Sequence, residues 1–70
     1  MSDSWITTKV KSDFAVEKGV PATSIHVDTY EGVVTLSGKV ENQAEADKAV
    51  RVASEIKGVK SVVNKMQVKS

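Results

Sequence analysis

Tyr30-Glu31-Gly32-Val33-Val34-Thr35-Leu36-Ser37-Gly38-Lys39-Val40 is the stretch that decides the architecture. Glu31-Gly32 is a two-residue turn signal, and the β-branched run behind it reads as a strand returning from a hairpin. Alternation puts Val34, Leu36, Gly38 and Val40 on the core face of that strand and Val33, Thr35, Ser37 and Lys39 on the other. A glycine where neighbouring positions carry core side chains predicts that a helix backbone passes close to Gly38.

Upstream, Ile25, Val27 and Thr29 alternate with His26, Asp28 and Tyr30, the period-2 pattern of a half-buried strand over Ser24 to Tyr30. Further back, Ile6, Val10 and Phe14 recur at i, i+4 and i+8, an apolar stripe that predicts a helix capped by Asp3 or Ser4. Gly19 is placed to end it, and Pro21 prevents continuation. Downstream, Asn42 and Glu45 make a capping-box-like start to a second helix. Its Ala46, Ala49, Val50, Ala53 and Ile56 share one face, and Asp47, Lys48, Arg51 and Glu55 share the other. Asp47 and Arg51 stand at i, i+4, a spacing that favours an ion pair. Gly58 stops this helix. Val59 to Val68 predicts a last strand with Val62, Met66 and Val68 inward and Val63, Lys65 and Gln67 outward.

The order α-β-β-α-β in 70 residues predicts one α+β domain over residues 1-70, a three-stranded mixed sheet with two helices packed on one face. Two strand orders fit the pattern. In the favoured order, 1-2-3, the second strand is central and a right-handed crossover sets the third parallel to it. In the rival, 2-1-3, the first strand is central and every pairing is antiparallel.

Composition narrows the function classes. Ten basic and nine acidic side chains give a net charge of +1, too balanced for a nucleic-acid partner. There is no cysteine, and His26 with Asp28 lacks the further ligands a metal site needs, so neither metal nor cofactor is expected. With His26 the sole histidine, no serine or threonine gains a base, and Gly38-Lys39 lacks the glycine spacing of a phosphate loop. An enzyme is not expected. No apolar run approaches the ~18 residues of a membrane span. Met1-Ser2-Asp3-Ser4 lacks the basic start and apolar stretch of a signal peptide, which leaves an intracellular protein or an excised mature domain with an added methionine.

Four stretches carry a resemblance: Ile6-Thr7-Thr8-Lys9-Val10-Lys11, Ile25-His26-Val27, Gly32 to Val40, and Gly58-Val59-Lys60-Ser61-Val62-Val63-Asn64. In them, and over nearly the whole length from Asp3 to Val68, the chain resembles the BON domain family, the bacterial osmotically inducible and nodulation domains. The resemblance implies a non-catalytic, periplasmic, envelope-associated module that binds anionic phospholipid and serves in osmotic stress. Some members are linked to potassium binding, a further alternative. Expected partners are an anionic membrane surface or another envelope protein or domain, with the chain monomeric or weakly self-associating. Members often occur in tandem, a context that a single copy lacks.

Trp5, Lys9, Ser12 and Val16 form a second stripe on the first helix, turned away from Ile6. An amphipathic aromatic beside a lysine suits an anionic headgroup surface, so Trp5 and Lys9 are candidate lipid contacts, joined by Lys57 and Lys60. The competing reading has Trp5 covering the edge of a thin core. The lysines, continued by Lys65 and Lys69, then favour a helix dipole and guard an edge strand. His26, Tyr30, Val33, Thr35 and Val63, with Val59, make an uncovered sheet face more apolar than solvation requires, a candidate surface for a partner or a second domain copy. Gly32, Gly38 and Gly58 read as structural. So does Asn64, whose alternation with Val62 and Met66 predicts a buried amide tied to a neighbouring loop.

Overall fold

β2 (Val33–Val40) is the central strand of a three-stranded sheet. It runs antiparallel to β1 (Ile25–Tyr30) and parallel to β3 (Ser61–Val68), so the order is 1-2-3 and the all-antiparallel alternative is excluded. The computed structural model describes residues 2–69, and the reading of Met1 as an added start residue lies outside it. α1 (Asp3–Val16) and a one-turn 3-10 segment (Ala22–Ser24) precede the hairpin, and α2 (Gln43–Ser54) crosses from β2 to β3.

Both helices lie on one face, as expected. Ile6, Val10 and Phe14 of α1 and Ala46, Ala49 and Ala53 of α2 join Val34, Leu36 and Val40 of β2, with Ile25 and Val27, in a single core. The buried positions alternate along each strand, and the register sets Val27 opposite Leu36 and Ile25 opposite Gly38, so a single side of the sheet is covered. Full burial of each large side chain in that layer contributes about 1.5–3 kcal/mol.

Glu31 and Gly32 both have positive φ, +49° and +83°, the requirement of a type I′ hairpin turn. Gly38 has φ +115°, but the reason for its missing side chain differs from the expectation. A Cβ there would collide with the Ser24 carbonyl oxygen and crowd Ile25, its partner across the sheet. The close approach comes from the chain entering β1, not from a long helix.

Capping departs from the reading at α1 and follows it at α2. Ser2 caps α1, its hydroxyl accepting from the Trp5 N–H, which releases Asp3 for other partners. Asn42 caps α2 by accepting from the Glu45 N–H, while the Glu45 carboxylate reaches back to the Glu41 N–H. Asp47 accepts from the Gln43 amide at 2.9 Å; the three ion pairs among the described residues do not include Arg51. β3 starts at Ser61 rather than Val59, and Val59 packs partly buried against the core instead of facing solvent. β3 is an edge strand that α2 covers incompletely. Val62 and Met66 are half-buried, and Val68, expected inward, is 42% exposed.

Candidate functional site

The hairpin turn is a junction of three elements. From α1, the Asp3 carboxylate accepts from the backbone N–H groups of Glu31 (2.8 Å) and Gly32 (3.1 Å). From the α2–β3 connection, the Lys60 N–H donates to the Gly32 carbonyl at 2.8 Å. A Cβ on Gly32 would stand 3.0 Å from the Lys60 side chain and 3.2 Å from the Gly58 carbonyl, so the missing side chain of Gly32 lets the two connections touch. Thr7 extends the seam, its hydroxyl bonded to that of Thr29 at 2.8 Å. The result is one pole of the molecule that gathers the first turn of α1 with Trp5, the turn itself, and Lys57 and Lys60.

Trp5 faces away from the core on α1 and is 45% exposed. Val16, on the same outward stripe, is also exposed. Lys9 shares that stripe, but its ammonium is held by Asp13 at 3.0 Å, an i, i+4 pair visible in the sequence and overlooked there. Lys57 and Lys60 take part in none of the ion pairs among the described residues. The structure thus brings Trp5, Lys57 and Lys60 to one pole and sets Lys9 one turn along α1 with its charge compensated. Asp3 was missed as an organiser of this pole. Its partners lie 28 and 29 residues away, a distance no local signal bridges.

The uncovered sheet face has two zones set by register. Tyr30, Val33 and Ser61 form one cross-strand row, and Asp28, Thr35 and Val63 form the next. Tyr30 is 75% exposed and Val63 39% exposed, while Val33 and Thr35 are half-buried. Further from the turn come His26, Ser37 and Lys65, then Lys39 and Gln67. The five residues of the candidate partner face therefore do share one surface, with His26 in its polar half.

Asn64 is exposed, not buried. Its side-chain oxygen accepts from the Met66 N–H at 2.9 Å, two residues along the same strand. The Lys69 N–H donates to the Val40 carbonyl, so odd-numbered amides of β3 point to β2 and even-numbered ones to the free edge. Asn64 therefore occupies an edge donor instead of reaching a loop. Among the described residues no group of three or more acidic or histidine side chains is placed to hold a metal ion, and no helix is long and apolar enough to cross a membrane.

An α-β-β-α-β domain with this glycine-marked hairpin is a small family-type module, and comparison with known proteins says which. The BON domain family matches residues 2–70, and the chain belongs to that family. It is 48% identical over 69 residues to "Osmotically-inducible protein Y" of Escherichia coli (strain K12), covering 99% of this chain and 34% of that protein. It is 46% identical over 61 residues to "Outer membrane lipoprotein DolP" of Haemophilus influenzae, covering 87% of this chain and 31% of that one. A "21 kDa hemolysin" of Actinobacillus pleuropneumoniae is 44% identical over 61 residues, with 87% of this chain and 31% of the relative covered. The chain thus spans about a third of the length of these relatives.

Proposed function

We propose that this domain is a non-catalytic, envelope-associated module that holds weakly to an anionic phospholipid surface through the pole bearing Trp5, Lys57 and Lys60. The observation that carries the reading is Trp5. A tryptophan 45% exposed on the outward side of a helix loses packing that the thin core would otherwise use. Its indole has an apolar body and a donor at its rim, which suits the headgroup boundary. Lys57 and Lys60 at the same pole each add roughly 1 kcal/mol near an anionic surface. Lys9, neutralised by Asp13, is the weaker contact. A periplasmic or outer-membrane setting and a role in osmotic stress rest on the names of the relatives, one osmotically inducible and one an outer membrane lipoprotein.

Co-sedimentation with anionic and neutral vesicles, at low and high salt, tests this. Binding is expected with anionic vesicles only, weakening as salt screens the lysines, and Trp5→Ser reduces it by about tenfold through lost interfacial burial. Equal binding to neutral vesicles, or none to either, overturns it.

A second reading has its own support in Tyr30 at 75% exposure beside Val33 and Val63, which makes the turn-end half of the sheet face a docking surface for another envelope domain. Amide shifts on this face that ignore protein concentration and candidate partners would remove it.

A further inference from the structure

The end of the sheet face away from the hairpin turn carries a second feature that the lipid reading does not use. Register places His26, Ser37 and Lys65 in one cross-strand row and Lys39 with Gln67 in the next, all exposed or half-buried on the open side. Neither row contains a carboxylate. Lys39 and Lys65 are diagonal neighbours on adjacent strands, close enough for two long side chains to reach one anion. At this same end a surface hollow of about 400 Å³ is lined by Lys39, Gln67, Val68 and Lys69. Lys69 is fixed there by its backbone bond to Val40, and its ammonium meets Glu41 at the rim, 3.1 Å away.

We propose that this hollow and the adjoining rows form an oxyanion site for a soluble phosphate-bearing small molecule. Lys39 and Lys65 supply charge from two strands, and the Gln67 amide and Ser37 hydroxyl supply neutral donors. Such a mixture suits a compact dianion, because two lysine point charges stand beside neutral groups that donate hydrogen bonds to the remaining oxygens. A lipid headgroup is the poorer occupant. Residues Val33 to Val40 separate the two poles, roughly 20 Å at strand rise. A domain seated on a membrane through Trp5 therefore holds this hollow away from the bilayer. The proposal stands apart from the lipid reading, since neither pole's residues serve the other.

Titration with inorganic pyrophosphate, with ionic strength held constant by sodium chloride and amide shifts recorded, tests it. Saturable shifts confined to His26, Ser37, Lys39, Lys65, Gln67 and Lys69 are expected. Lys39→Gln with Lys65→Gln weakens the affinity by about tenfold, two exposed charge contacts together. Glu41→Gln, which frees the Lys69 ammonium, tightens it. Lys57→Gln with Lys60→Gln leaves it unchanged while reducing vesicle binding. Shifts that never saturate, that spread equally to Lys57 and Lys60, or that chloride reproduces overturn the site. So do shifts of these residues produced by anionic vesicles and not by pyrophosphate.

Discussion

The two helices share one face of the sheet yet are built differently. α1 reaches the core with large side chains, Ile6, Val10 and Phe14, whereas α2 lies on it with Ala46, Ala49 and Ala53. Their outer sides differ as well. α2 shows Asp47 and Arg51 to solvent, with Glu55 at its C-cap, the ordinary surface of a helix that only packs. α1 shows Trp5 and Val16, apolar groups that its own core leaves unused. The contrast separates a helix that completes the fold from one that has a surface to offer, and it directs the functional reading to α1.

The comparison can be broken at several strengths. Phe14→Ala removes the largest fully buried side chain and is expected to cost about 3–5 kcal/mol. A 70-residue domain holds only about 4–10 kcal/mol in total, so urea melts of this variant should show a largely unfolded chain. Full stability would mean that α1 is not the main filler of the core. Ala49→Leu tests the other helix by overpacking, with an expected loss of about 1–3 kcal/mol because α2 has no room to retreat. An unchanged midpoint would show that α2 does not lie tightly against the sheet.

Asp3→Ala is smaller, about 1 kcal/mol, from two charge-assisted bonds lost at a partly exposed turn. Hydrogen exchange at Glu31 and Gly32 should accelerate first, and protection equal to the parent would deny Asp3 its role. Trp5→Ser has the least effect on stability, within about 0.5 kcal/mol for an exposed position. Its effect on vesicle binding is the larger one, and a Trp5 variant that melts early would return this residue to the core.

Much of the scaffold was legible because its signals are local. The Ile6-Val10-Phe14 stripe, with steps of four residues, the Asn42-Glu45 start and the Glu31-Gly32 turn each specify backbone geometry from near neighbours in the chain. Some misses are local, the Ser2 cap and the Lys9–Asp13 pair among them; others need the tertiary structure. Gly38 announces a missing side chain, but nothing near it names Ser24 as the obstacle. Asn64 has the parity of Val62 and Met66, yet parity gives a face and not a depth, and the helices stop short of the edge strand. The candidate site follows the same rule. Trp5 and the lysines stand out by type, while their gathering at one pole depends on Asp3 and Lys60 binding the same turn.

Taken alone, the sequence determined the elements, their order, the covered face of the sheet and the family motifs, since periodicity and turn chemistry act over a few residues. Only the tertiary structure decided that β2 is central, which neighbours the glycines admit, which lysines are already paired and which charges stand unpaired on the open rows. Those outcomes depend on register and on contacts between segments far apart in the chain, where the free energy of a side chain is set by what the fold brings beside it.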